Sequence, residues 1–161
     1  MRFFLKIFCI TLIAASCKHT SKKLPILGEP TISSKDTTYP VIADFSFINQ
    51  DRQTVTNKTF DNKIYVADFI FLSCPTICPK MTDEMYNVYL RYATDGRVAF
   101  ISHTIDPAND SIQKLLAYAN NLGVSSSKWY FVTGNQDSII NLAQHSYFST
   151  AYPDSTAPGG F

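Results

Sequence analysis

Cys74 and Cys78 carry the most evident chemistry in this chain, four positions apart in Ser73-Cys74-Pro75-Thr76-Ile77-Cys78-Pro79-Lys80. If the second thiol opens a helix, the two sulfurs can turn toward one point, and the positive end of the helix dipole favours the thiolate. Paired soft thiolates suit Cu(I), and the same pair can close reversibly to a disulfide. A structural disulfide closing a small loop is the plain alternative. An inert pair inside a packed helix is disfavoured by the prolines at 75 and 79. The remaining cysteines, Cys9 and Cys17, are far away in sequence. Four cysteines so unevenly spaced make neither a disulfide scaffold nor a four-cysteine zinc site.

The flanking segments must position the pair. Residues 65–72, Tyr-Val-Ala-Asp-Phe-Ile-Phe-Leu, form a nearly unbroken apolar run of strand length, with Asp68 the exception. Such a run reads as a central strand buried on both faces of a parallel sheet, with the thiols at its carboxyl end, where sites collect. Pro79 suits the first helical position, and Met81, Met85, Val88, Tyr89 and Tyr92 then recur on one helical face. Residues 97–104 give a second strand, broken by Asp106-Pro107. Asp110 with Gln113 reads as a helix cap and its partner, opening a helix with Ile112, Leu115, Leu116, Ala119 and Leu122 inward and a stop at Gly123. A third strand at 129–133 and a third helix at 137–146, with Ile139, Ile140 and Ala143 inward, follow. Upstream, 41–47 and 53–55 around Asn49-Gln50-Asp51-Arg52 read as a hairpin. Alternating strands and helices predict an α/β sheet with parallel strands.

The chain has 161 residues, 45% hydrophobic and 17% charged, which fits one domain plus a short appendage and excludes disorder and collagen-like repeats. A net charge of +1 gives no electrostatic reason to expect nucleic acid as a partner. Residues 1–16 combine a basic start, an apolar run from Ile7 to Ala15 and small residues before Cys17, the pattern of a secretory signal peptide. Ala14-Ala15-Ser16-Cys17 resembles a bacterial lipobox, which makes Cys17 the lipidated first residue of the mature protein. The apolar run is well short of the roughly 20 residues that cross a bilayer. Residues 17–40 then hold the lipidated cysteine and a tether of roughly 25 Å reach. This arrangement places the domain, residues 41–161, in the bacterial cell envelope, facing the periplasm, where disulfides are permitted.

The segment 65–80 resembles the Sco/SenC family of membrane-tethered copper-binding proteins, with their thioredoxin-like fold and Cys-x-x-x-Cys-Pro motif. Phe45-Ser46-Phe47-Ile48-Asn49-Gln50-Asp51 looks like that family's opening hairpin, Thr104-Ile105-Asp106-Pro107 with Asp110 like its Asp-Pro segment, and Trp129-Tyr130-Phe131-Val132-Thr133-Gly134 like a later strand. The resemblance spans about residues 24–148, and the three-residue spacer departs from the two-residue thioredoxin motif. It implies an α/β, thioredoxin-like fold with an N-terminal hairpin, and Cys74 and Cys78 as thiolate ligands of one copper ion. The family's third ligand is a histidine on a later hairpin, and this sequence stops at Phe161 before such a position. The resemblance therefore implies a C-terminally incomplete domain without that hairpin and the last helix, leaving the 65–72 strand with an exposed edge.

Three histidines remain to be placed. His19 falls in the tether and reads as solvated, and His145 falls near a helix end. His103, near the carboxyl end of the second strand, shares the sheet edge of Cys74 and is the candidate substitute ligand or outer-sphere partner, against the plain reading of a hydrogen-bonded strand-end residue. Asp106 and Asp110 read as turn and cap residues, Met81 and Met85 as core, and Lys80 either as support for the thiolate or as solvated. By the resemblance, the protein delivers copper to the binuclear copper site of cytochrome c oxidase, with oxidase subunit II as partner and a lipid anchor in the membrane. The competing reading is a thiol-disulfide oxidoreductase that reduces the cysteines of that site, with Cys74 attacking and Cys78 resolving. A third is a lipid-tethered adaptor with a structural disulfide.

Overall fold

A computed structural model describes residues 24–152, 154 and 156. The signal peptide, Cys17 and His19 lie outside them. The elements are β1 (Thr31–Ile32), β2 (Thr37–Thr38), β3 (Ser46–Asn49), β4 (Thr54–Thr56), a 3-10 turn (Asn57–Phe60), β5 (Ile64–Ile70), α1 (Ile77–Tyr92), β6 (Val98–Thr104), α2 (Ile112–Leu122), β7 (Trp129–Thr133) and α3 (Gln136–His145). β1 and β2 make a small exposed ribbon, and the other five strands form one sheet in the order β4-β3-β7-β6-β5.

Parallel pairing runs from β5 to β6, with Phe69 beside His103, and from β6 to β7, with His103 beside Val132. Side chains alternate between the two faces of such a sheet. One face carries Phe100, Ser102, Trp129 and Phe131. Tyr89 of α1 packs against Phe100 and Trp129 there, and Tyr118 of α2 packs against Phe131. The Trp129 Nε1–H donates to Ser102 Oγ at 2.8 Å, so the buried indole is satisfied. Phe45, Phe47, Phe69 and His103 meet on the opposite face, with Tyr147 from the turn after α3.

The hairpin turn falls where expected, but its first strand is β3 at Ser46–Asn49 rather than 41–47. Asn49 Oδ1 accepts from the N–H groups of Asp51 and Gln53, and Arg52 turns the chain with φ 60°. β3 runs antiparallel to β7, and Gln50 extends that junction: its Nε2 donates to the Trp129 carbonyl, and its Oε1 accepts from Phe131 N–H.

Several expectations are corrected. The strand at 65–72 is not central: β5 is the last strand of its sheet, with no neighbour on its outer side among the described residues and Ile64 73% exposed, which is the exposed edge that the resemblance implied. On α1 the buried line is Cys78, Thr82, Met85 and Tyr89, while Val88 and Tyr92 reach solvent. The helix is rotated because it packs on α2 as well as on the sheet, and Thr82 Oγ1 accepts from the Tyr118 hydroxyl at 2.9 Å. Pro79 is the third helical residue rather than the first. The α2 cap is Ser111, which accepts from Lys114 N–H, and Asp110 is engaged elsewhere. In α3, Leu142 is buried in place of Ile140. Gly123 ends α2 in the left-handed conformation, φ 68°, as anticipated. Ile26 and Leu27 of the tether line a surface pocket with Pro40, Ile42 and residues 146–148 but stay largely exposed.

Candidate metal and redox centre

The site is built where β5 gives way to α1. Ile105 N–H donates to the carbonyl of Ile70, the last residue of β5, carrying the ladder one residue past the end of β6. The chain then turns, with Cys74 N–H donating to the Phe71 carbonyl at 3.1 Å. Asp110 pins this turn: its Oδ2 accepts from Leu72 N–H at 3.0 Å and from the Thr104 hydroxyl at 2.6 Å. The residue expected as a helix cap thus ties the thiol loop to the end of β6. Asp106 holds the adjoining strand-end turn through Asn109, as its turn reading anticipated.

Cys74 lies just before the first turn of α1, where backbone N–H groups lack helical partners. Thr76, the residue at the cap position, makes no side-chain cap bond. Cys74 Sγ takes that role, accepting from Cys78 N–H at 3.3 Å. Burial pushes the Cys74 thiol up, but hydrogen bonds from the Cys78 side chain and from the N–H groups of Thr76, Cys78 and Ile77 outweigh it and bring it down to about 7. Cys78 moves the opposite way, up to about 12. Burial is the leading cause, followed by the Cys74 sulfur and the negative charge of Asp68, against a hydrogen bond from the Phe71 backbone. Both thiols are free and buried. One motif therefore holds a ready thiolate and a reluctant one.

Asp68 is the residue that sequence reasoning left without a role. Its carboxylate oxygens are buried without a hydrogen-bond partner. Burial raises it to about 6, which the nearby Ser102 hydroxyl and the residue's own backbone N–H offset only in part. Asp68 shares the sheet face of Ser102, toward α1, and lines a groove with Val66, Ile77, Lys80, Met81 and Met85. The signal was available as a lone carboxylate in an apolar run six positions before Cys74.

His103 is not brought to the thiols. Register puts it on the face opposite Ser102, in an aromatic cage. Its ring stacks on Phe69 at 4.9 Å and meets Phe45 and Phe47 edge-on, Nδ1 lies 3.4 Å from the Asp68 carbonyl, and Nε2 is buried without a partner. Burial lowers it to about 4, so the imidazole is neutral at physiological pH. His145 is exposed at the end of α3, with Nδ1 3.1 Å from the Asn141 carbonyl. Met85 is core, as anticipated, but Met81 is only half-buried and lines both the Asp68 groove and a cleft beside Cys78. Lys80 is exposed at the rim of that groove.

Among the described residues no three of His, Cys, Asp and Glu gather as a metal site. The donors present are two sulfurs on a short loop, one of them ionised near neutral pH. That set fits a soft ion such as Cu(I) and excludes a carboxylate-bound hard cation. The same two sulfurs, with their opposed acidities, also fit thiol-disulfide exchange.

Comparison with known proteins agrees with this chemistry. The SCO1/SenC family model matches residues 33–160. The SCO1 protein homologue of Bacillus subtilis is 36% identical over 100 residues, 62% of this chain and 52% of that protein, so the chain spans about half the length of this relative. BsSco, described with a disulfide switch and as a member of the Sco family of cytochrome c oxidase assembly proteins, superposes with TM-score 0.63 at 33% identity, over 70% of this chain and 67% of its own. A SCO1/SenC family lipoprotein from Bacillus anthracis gives 0.62 at 29%, covering 67% and 66%. Arabidopsis thaliana ScoI, solved with copper bound, gives 0.57 at 25%, covering 66% of each chain. No helix among the described residues is long and apolar enough to cross a membrane. With the family motif, the thioredoxin-like fold and the two-thiol loop in agreement, the chain belongs to the SCO1/SenC family.

Proposed function

We propose that this chain is a membrane-tethered copper carrier that delivers the ion to the binuclear copper site of cytochrome c oxidase, with oxidase subunit II as partner. Cys17 is its lipid attachment, residues 1–16 its signal peptide, and the domain faces the periplasm. The observation that carries the reading is the split acidity of Cys74 and Cys78 in a two-sulfur loop. The Cys74 thiolate captures incoming Cu(I) without first losing a proton. Cys78 binds next and releases its proton as it does so, which makes affinity rise with pH. Because Cys78 holds its proton so strongly, reprotonation of that sulfur opens the ion to a partner's thiols. Two thiolates without a rigid closed cage give a site suited to transfer rather than storage.

Titration of the reduced protein with Cu(I) against a calibrated chelator tests this. One equivalent should bind, and Cys74→Ser/Cys78→Ser should bind none. Retention of the ion by the double variant would defeat the reading.

The same acidity split favours a second reading, a dithiol reductase of the partner's cysteines. The Cys74 thiolate attacks a partner disulfide, forming a mixed disulfide and expelling one partner thiolate. Cys78, once deprotonated, attacks Cys74 Sγ, releases the second partner thiolate and closes the Cys74–Cys78 disulfide, and an external dithiol must then reduce it again. Cys78→Ser should trap the mixed disulfide on Cys74, and a failure to trap it would remove this reading.

A further inference from the structure

The tether and the turn after α3 meet in a surface pocket of about 260 Å3, lined by Ile26, Leu27, Pro40, Ile42 and residues 146–148. Tyr147 fixes that turn: its hydroxyl lies 2.9 Å from the Tyr65 hydroxyl, and its ring meets Phe69 edge-on. Phe148 takes the left-handed conformation, φ 54°, which is strained for a bulky side chain, and it stands 48% exposed. Gly28 closes the contact from the tether. At φ 87°, with the Phe148 ring and Pro40 so near that a Cβ would collide with both, only glycine fits there. Ile26 and Leu27, just before it, remain 61% and 66% exposed. Three large apolar side chains are thus held at one surface pocket, one of them against backbone strain.

We propose that this face rests on the bilayer, with Ile26, Leu27 and Phe148 seated at the boundary of headgroups and acyl chains, an inference that rests on the lipid attachment at Cys17 proposed above. Chain length supports it first. Ile26 follows Cys17 by nine positions, a span of roughly 30 Å at full extension and about 15–18 Å as a flexible coil, so an anchored chain keeps the patch close to the membrane. Charge agrees: Lys18, Lys22 and Lys23 lie in that span, and the first acidic residue after Cys17 is Glu29. Lysines beside exposed aliphatic and phenyl side chains suit an interface of anionic headgroups over hydrocarbon.

Residues 146–148 line the patch, and residues 149–152 line the cleft beside Cys78. Docking therefore holds the thiol loop within a short run of chain from the bilayer, where a membrane-bound partner stands, instead of leaving it to sweep the full reach of the tether.

The test uses the lipidated chain in vesicles of phosphatidylethanolamine and phosphatidylglycerol doped with a diazirine-bearing phospholipid, irradiated and read by peptide mass spectrometry. Lipid adducts should fall on Ile26, Leu27 and Phe148 and spare Leu90, which is comparably exposed on α1. In Ile26→Ser/Leu27→Ser, adducts on Phe148 should drop by about tenfold, because interfacial binding scales with the apolar area inserted. Both replaced side chains are exposed, and circular dichroism checks that the variant is folded. Adducts confined to residues 17–23, as when a second copy of the chain covers the patch, overturn the inference. So do adducts equally frequent on Leu90, or unchanged labelling of Phe148 in the folded double variant. A chain whose intact mass shows no acyl group at Cys17 overturns the anchor reading and this one with it, a result that the mass alone identifies.

Discussion

The opposed acidities of Cys74 and Cys78 can be read directly by alkylation. With its thiol brought to about 7 from an ordinary 9.0, Cys74 is about half ionised at pH 7, where an unperturbed thiol is about 1% ionised, so its thiolate fraction is roughly 50-fold larger. Cys78, pushed up to about 12, is almost wholly protonated there. The intrinsic nucleophilicity of a thiolate falls as its pKa falls, with a Brønsted slope of about 0.4–0.5, so the net gain in rate shrinks to several-fold. The assay is iodoacetamide modification of the reduced, metal-free protein between pH 5.5 and 10, with peptide mass spectrometry to read Cys74 and Cys78 separately. Modification of Cys74 should titrate with a midpoint near 7, and Cys78 should stay silent until well above pH 9. Cys78→Ala removes the S–H that donates to the Cys74 sulfur but leaves the helix N–H groups, so the Cys74 midpoint should rise while staying below 9. Equal reactivity of the two thiols at pH 7, or a Cys74 midpoint at the ordinary value, would refute the argument that the first turn of α1 stabilises this thiolate.

Three further outcomes follow from the surrounding residues. Asp68 is raised from 3.8 to about 6 on folding, so its ionisation costs stability, a penalty absent below about pH 4 and complete above about pH 6. Asp68→Asn should therefore exceed wild type by on the order of 3 kcal/mol in urea unfolding at pH 7 and match it near pH 3.5. His103 is lowered from 6.5 to about 4, so the stability of its neutral form is full above about pH 6.5 and drains away as pH falls toward 4. His103→Phe should flatten that part of the pH–stability profile and leave Cu(I) affinity unchanged, and a drop in affinity would place the imidazole at the metal. Thr104→Val deprives the buried Asp110 carboxylate of its shortest donor, for a loss of about 1–3 kcal/mol, and should speed amide exchange at Leu72 and Cys74 as the loop loosens.

The elements were legible because their patterns are local. β6 and β7 are short apolar runs between breakers, the hairpin turn is announced by Asn49 and its neighbours, and Gly123 marks a helix end by its tolerance of positive φ. The thiol motif was legible for the same reason: chemistry at a fixed spacing needs no tertiary knowledge. What the sequence concealed depends on neighbours. An apolar run buried on both faces and an edge strand half covered by one helix carry the same residues, so nothing in residues 64–70 declares their position in the strand order. Asp110 and Ser111 are both good cap residues. Which one caps α2 is decided by the Thr104 hydroxyl and Leu72 N–H, which claim Asp110 from a distance in sequence. His103 and Ser102 sit one residue apart on the same strand. Only the register with β5 shows that the imidazole enters an aromatic cage while its neighbour faces α1. Asp68 looked like an interruption in a strand because the thiol whose proton it helps to hold lies ten residues away.

Gln50 turns a side chain into a piece of sheet. Its amide gives the Trp129 carbonyl and the Phe131 N–H the two bonds that a neighbouring strand would otherwise supply, beside the Ile48–Thr133 and Asn49–Val132 pairs. A backbone rung can break only if the chain moves, whereas this rung can break by rotation about side-chain bonds. The seam between the hairpin and β7 is thus closed by backbone at one end and latched by a rotamer at the other. In an exchange experiment the Phe131 amide would keep time for that latch, while the amides of β6 keep time for the opening of the sheet.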